Sequence, residues 1–253
     1  MENVSLPLLP LIGLTGGFLS GLLGLGGGVI ILPLLTFIGG VPLKLATGTD
    51  LVHVCIASAT GVFSHYRSGN IDLKAGALLG LAGVAGGFAG SFLSVHLSTY
   101  DIQIIYLLVV LLTIIILLIP LKLENNDYKK GNFNKALGVV IGVGGGSLAG
   151  LLGIGGGFIM IPLVIYLLGI PLRVTIGTSL LIILISSMGT IAAKFKVGHI
   201  HLTITFFVVS GSVIGALLGA HVSRKTHIRF LRMILFSVLV LILIMVGLKT
   251  FFQ

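Results

Sequence analysis

A block of eighteen residues occurs twice in this chain, 129 residues apart. GFLSGLLGLGGGVIILPL over 17–34 returns as GSLAGLLGIGGGFIMIPL over 146–163. The same offset carries on without a gap. Gly40-Val41-Pro42-Leu43-Lys44 aligns with Gly169-Ile170-Pro171-Leu172-Arg173, and Gly48-Thr49-Asp50-Leu51 with Gly177-Thr178-Ser179-Leu180. Between 17–73 and 146–202, 23 of 57 positions are identical, where chance in so biased a composition gives roughly a tenth. The chain is a duplicated unit, and any fold proposed for one half must also serve the other.

Composition says which solvent that unit meets. Hydrophobic residues make up 56% and charged residues 8%, against about 25% charge in a soluble domain. Such a chain cannot clothe a water-facing surface, so its solvent is lipid. Soluble enzymes, secreted disulfide scaffolds and disordered tails are excluded. The net charge of +9 comes from bases scattered through short loops, the pattern of cytoplasmic membrane loops and not of a nucleic-acid binder. Cys55 is the only cysteine, which leaves no internal disulfide and reads as a small apolar filler. Met1-Glu2-Asn3-Val4-Ser5 lacks the basic stretch of a signal peptide, so the first apolar run is expected to be retained.

Apolar runs fall at about 6–23, 29–40, 46–66, 75–97 and 102–121, then at about 136–152, 158–169, 175–193, 202–221 and 230–248. A polar stretch over 122–135 separates a first membrane repeat, 1–121, from a second, 136–253. The second run of each half is too short to span: twelve helical residues reach about 18 Å, against a hydrocarbon core of about 30 Å. Each short run follows a glycine cluster, so the first two segments of each half read as a broken or re-entrant hairpin tipped by Gly24–Gly28 or Gly153–Gly157. If each hairpin leaves on the side it entered, the repeats are inverted. One side then holds Arg67, Lys74, Lys122, Lys129, Lys130, Lys135, Arg173, Arg224, Lys225, Arg229 and Arg232; the other holds only Lys44, Lys194, Lys196 and Lys249. A parallel arrangement splits the bases 9 against 6. The positive-inside rule therefore favours inverted repeats with both termini outside. The expected fold is an all-α polytopic membrane protein of two inverted five-segment repeats.

Short, glycine-interrupted segments at matching places in inverted repeats point to a secondary transporter and to its binding site. A broken helix offers free N–H groups and the positive end of its dipole, which together suit an anion. Gly24, Gly26, Gly27 and Gly28, with Gly153, Gly155, Gly156 and Gly157, would let backbone approach the ligand, and Val29 and Phe158 would start the two helices. The competing reading is that these glycines only allow tight helix crossing. Pro33 and Pro162 mark kinks that either line the pathway or are merely structural. Thr49, Thr178 and Ser179 would add hydroxyl hydrogen bonds. Asp50 stands alone as an acid inside an apolar run, with His53 one turn on; the pair is a candidate for coupling protons. Alternatively, Asp50 is an N-cap at the water boundary. His65, Arg67, Lys194 and Lys196 would form entrance vestibules or simply snorkel to the interface. His96, His221 and His227 read as interfacial. His199 and His201 are set against Asn70 and Asp72 in the other half and do not make a metal site. No cofactor motif is present: no Walker lysine, H-E-x-x-H or G-x-S-x-G.

The twin blocks GLLGLGGGVIILPLL and GLLGIGGGFIMIPLV, each followed by P-x-K/R and G-T-[DS]-L, resemble the TauE/SafE family of sulfite-exporter-like permeases. The resemblance covers nearly the whole chain. It implies a prokaryotic plasma-membrane permease that carries sulfur-containing anions such as sulfite or sulfoacetate, and its recognisable residues map to the tip glycines, Pro33 and Pro162. The expected partners are a small anion and membrane lipid, with a homodimer compatible. The rivals are an anion channel, an intramembrane enzyme using Asp50, His53 and Cys55, and a structural or sensory subunit without flux.

Overall fold

The structure, a computed structural model, describes residues 6–118, 128–196 and 199–252. After a short 3-10 turn at Leu6–Leu8, these residues form ten α-helices and no strand: α1 Leu9–Leu23, α2 Gly28–Phe37, α3 Leu43–Arg67, α4 Leu73–His96, α5 Thr99–Leu118, α6 Lys135–Leu152, α7 Gly157–Leu168, α8 Leu172–Lys196, α9 Leu202–Lys225 and α10 Ile228–Phe252. Seven of them are long and apolar enough to cross a membrane, whereas α1, α2 and α7 are shorter. The sequence offset of 129 is also the offset of the helix bounds: α3 and α8, like α4 and α9, begin and end at corresponding residues. The polar residues 122–127, Lys122 among them, lie outside the described residues.

Each half opens with a hairpin. Gly24 ends α1 and Gly153 ends α6, both in the left-handed region, at φ 75° in each case. Their N–H groups bond back to Ser20 and Ala149 at 2.8 Å. Gly27 and Gly156, at φ 83° and 66°, then cap the starts of α2 and α7. A side chain at those angles is strained by about 1–3 kcal/mol, so glycine is what allows so short a reversal. The chain does fold back: Gly27 lies on the Gly16 carbonyl and Gly16 on the Ile31 side chain, while Gly156 lies on the Gly145 carbonyl and Gly145 on Met160. The short helices start at Gly28 and Gly157, one residue earlier than the sequence suggests.

Other glycines do the tight packing. Gly13, Gly17 and Gly21 of α1 sit on the carbonyls of Val208, Ser212 and Ala216 of α9. In return, Gly211, Gly215 and Gly219 sit on those of Pro10, Leu14 and Phe18. Four-residue spacing places each set on one helix face, and both run in the same sense, so α1 and α9 are parallel. The second half repeats the seam between α6 and α4, with Gly142, Gly146 and Gly150 on the carbonyls of Leu79, Gly83 and Gly87. The glycines that precede the tips thus make small-residue helix crossings, where the absent β-carbon lets backbones touch.

The central helices α3 and α8 run antiparallel. Gly48, near the start of α3, lies on the His199 carbonyl just past the end of α8, and Gly177, near the start of α8, lies on the Asn70 carbonyl just past the end of α3. Ser68, Gly69, Lys130, Arg173 and Arg224 gather at one end: Arg173 donates to the Arg224 carbonyl, Arg224 to Ser68 Oγ and Lys130 to the Gly69 carbonyl. Lys44, Lys194 and His199 lie at the other end, where burial and then the two ammonium groups hold the His199 imidazole below its ordinary value.

Candidate functional site

The two hairpin tips meet. Gly28 rests on the carbonyl of Ile154 and Gly157 on the carbonyl of Leu25, its repeat counterpart. Val54 of α3 and Ile183 of α8, also counterparts, pack on both Gly26 and Gly155. Leu25, Val54, Ile154 and Ile183 are fully buried. The starts of α2 and α7 therefore converge on one spot between the central helices, and in this conformation aliphatic side chains close it. The first N–H groups of any helix lack intrahelical acceptors, so two sets of donors are aimed into a closed centre.

All three hydroxyls expected at the site are engaged, and only that of Ser179 is seen against a tip. Ser179 Oγ donates to the carbonyls of Gly24 and Ile176 at 2.8 and 2.9 Å, which fastens the first tip to α8. Thr178 Oγ1 accepts the Asp72 N–H at 2.9 Å, and Thr49 Oγ1 accepts from Thr205 Oγ1 at 3.4 Å. Gly153 lies on Thr47, and Gly24 on Ile176 and Ser179. Pro33 and Pro162 are buried inside α2 and α7. Each removes the N–H that would serve the carbonyl four residues back, Val29 in one half and Phe158 in the other.

Asp50 is not an N-cap. It lies well inside α3, which begins at Leu43 after Pro42 in the cap position, and it is fully buried. Neither carboxyl oxygen has a hydrogen-bond partner, and neither ring nitrogen of His53 has one. The Asp50 carboxyl faces Gly28, the first residue of α2, and the His53 ring faces Gly16 and Gly27. The pair thus stands beside the first tip. The second half carries Ser179 and Ile182 at the same places.

The basic residues after the central helices divide. His65 and Lys194, which correspond, are buried at 2% and 1% exposure and do not snorkel. The His65 Nε2 lies 3.3 Å from the Gly21 carbonyl, and Lys194 Nζ donates to Ser94 Oγ at 2.7 Å. Arg67 is exposed and stacks over Phe63, 4.2 Å from the ring centroid; Lys196 is exposed too. His201 accepts the Ile204 N–H as the N-cap of α9, the role Asp72 has on α4.

Two residues escape the sequence reading. Tyr106 of α5 donates to the Val29 carbonyl at 2.6 Å. The signal was a lone tyrosine in an apolar run, together with a proline four residues past a carbonyl that needs a donor. Asp72 accepts from the N–H groups of Lys74, Ala75 and Gly131 and from the Tyr128 hydroxyl, joining the α3–α4 turn to the segment before α6. Burial raises its pKa, but those four donors together hold the carboxyl below its ordinary value.

With seven helices long and apolar enough to cross a membrane, the described residues are those of a polytopic membrane protein. The chain belongs to the sulfite exporter TauE/SafE family, whose sequence model matches residues 9–246. Similar proteins include the probable membrane transporter protein YunE of Bacillus subtilis, 27% identical over 94% of this chain and 96% of the relative. YdhB of the same organism, also a probable membrane transporter protein, is 30% identical over 81% and 84%. MJ0441 of Methanocaldococcus jannaschii, named likewise, is 29% identical over 92% of each chain. No solved structure matches the chain.

Proposed function

We propose that this transporter moves a small anion, a sulfur oxyanion or organosulfonate such as sulfite or sulfoacetate, by alternating access. The observation that carries the reading is the meeting of the α2 and α7 starts at one buried spot. Helix starts there favour negative charge, and glycines let the anion reach backbone N–H groups. Gly24, Gly26, Gly27 and Gly28 would line it from one half and Gly153, Gly155, Gly156 and Gly157 from the other. Thr49, Thr178 and Ser179 would add hydroxyl hydrogen bonds, and Pro33 and Pro162 bend the helices that follow. Val54 and Ile183, packed on both tips, act as the plug, so the anion enters only when the tips part. That closure favours a carrier over a static pore, and no part of this reading requires the chain to be an enzyme.

The antiparallel central helices support inverted repeats, and the basic cluster around Arg173 and Arg224 then faces the cytoplasm of a prokaryotic cell membrane, with both termini outside. Asp50 and His53 are the groups placed to couple protons, since an unpartnered ionisable side chain in the membrane interior marks function by default. The test is uptake of sulfite, sulfoacetate, sulfate, phosphate and carboxylates by proteoliposomes with imposed pH gradients. Saturable flux of a sulfur anion is expected; no flux of any anion above protein-free vesicles would reject the reading.

A further inference from the structure

The gapless repeat makes each half a control for the other. Among the described residues, the buried side chains left wholly without a hydrogen-bond partner are Ser20, Asp50, His53, Ser58 and Ser212. All five are fully buried, and all lie on α1, α3 and α9, three helices that pack on one another. Asp50 meets the first residue of α2, His53 meets Gly16 and Gly27, the backbone of Ser212 lies on Gly17, and Ser20 sits one turn further along α1. In the other half the counterparts are Ala149, Ser179, Ile182, Ser187 and Gly83. Ser179 and Ser187 both donate to helix carbonyls, and the remaining three have no polar side chain.

A buried polar group without a partner is destabilising. Five together on one side, where the same fold manages without them on the other, indicate groups kept for something that passes. Resting on the transport reading above, we infer that the first half alone carries the coupling proton, and that an anion occupies the shared spot only while Asp50 holds that proton. The reason is electrostatic. An ionised Asp50 beside Gly28 would put like charge against an anion at the same helix start, and in a poorly solvated site two like charges do not coexist. Proton and anion therefore load together. His53 exchanges the proton with Asp50, and the hydroxyls of Ser20 and Ser212 lead it along the α1–α9 seam. The tip at Gly155–Gly157, without an acid, is the part of the site that holds the anion. Around Asp50, α5 presents Tyr106, bonded to Val29 and within electrostatic reach of Asp50, and α9 presents Thr205 beside Thr49. From α2 comes the backbone of Gly28, against which the Asp50 carboxyl lies.

The substitutions to use are those the second half already contains, Asp50→Ser and His53→Ile. In proteoliposomes with radiolabelled sulfoacetate, whose charge is fixed through the neutral range, the parent should exchange faster as pH falls and should accumulate label under a pH gradient. Asp50→Ser should lose both the pH dependence of exchange and the gradient-driven accumulation. A second measurement needs no transport. Dicyclohexylcarbodiimide adds to a protonated carboxyl in an apolar site: the acid proton moves to a carbodiimide nitrogen as the carboxyl oxygen bonds to its central carbon. Mass spectrometry of the full chain in detergent should find the adduct at Asp50, declining as pH rises, with the midpoint shifted in His53→Ile. If the parent moves sulfoacetate and Asp50→Ser still accumulates it under the gradient, the inference falls while the transport reading stands. If no anion moves at all, the transport reading falls. Absence of an Asp50 adduct from mildly acidic to mildly alkaline pH also overturns the inference.

Discussion

The Tyr106 hydroxyl donates to the Val29 carbonyl, 2.6 Å away, the very carbonyl that Pro33 deprives of its helical N–H. One half of the repeat thereby mends its proline break from a neighbouring helix. Leu235, the counterpart of Tyr106, has no donor to offer Phe158. Tyr106→Phe should destabilise the protein by about 1–3 kcal/mol, the cost of a buried acceptor left without its donor. Thermal unfolding in detergent checks it, with Tyr100→Phe, at an exposed site, as the comparison. An unchanged unfolding midpoint would mean the Val29 carbonyl finds another donor.

Gly27→Val and Gly156→Val should abolish transport while the protein still inserts and folds in the membrane. Any side chain at these φ values costs about 1–3 kcal/mol. At Gly27 a β-carbon would also strike the Gly16 carbonyl and the His53 ring. Gly69 and Gly169 have similar φ, 69° and 67°, but open space around them. Gly69→Ala and Gly169→Ala should therefore show the backbone cost alone, with flux retained. Equal flux from all four variants would remove the tips from the pathway.

Acid should loosen the joint between the α3–α4 turn and the segment before α6. The folded-state pKa of Asp72 lies below its ordinary value, so its stabilisation is complete above about pH 3.9 and fades as pH falls through the depressed folded value. Tyr128→Phe removes one of the donors to that carboxyl and should cost about 1.5–3 kcal/mol at neutral pH. The difference from the parent should shrink in strong acid. Hydrogen exchange at the Gly131 and Ala75 amides is the local measurement; a difference that does not vary with pH would refute the assignment.

Cysteines at Lys44 and Arg173, matched positions in the two halves, should react with a membrane-impermeant maleimide from opposite sides in a Cys55→Ala background. Labelling of both from one side would contradict the inverted arrangement.

The hairpins were legible because glycine clusters and short apolar runs are local signals, and their recurrence at one offset made them unambiguous. The seam glycines were equally visible, yet which cluster turned the chain and which packed it could not be read. Both depend on what lies opposite: Gly17 on Ser212 and Gly27 on Gly16 differ only in three dimensions. In sequence Asp50 reads as much like a helix cap as a buried acid because the apolar run begins at about 46, three residues after the start of α3 at Leu43. Lys194 reads as interfacial because Ser94, its partner, lies 100 residues earlier in the chain. Long-range pairs of this kind leave no trace in periodicity.

The crossed seams bear on how such a chain arose. The carbonyls that receive α1 belong to α9, and those that receive α6 belong to α4, so each hairpin is cradled by the opposite copy. A half-length forerunner made alone would have had its glycine ridge facing lipid, with nothing for its backbone to touch. It would have had to pair with a twin before it was a finished object, and fusion of the two genes made that partnership permanent. Only afterwards could the copies diverge, to Asp50 and His53 in one and Ser179 and Ile182 in the other.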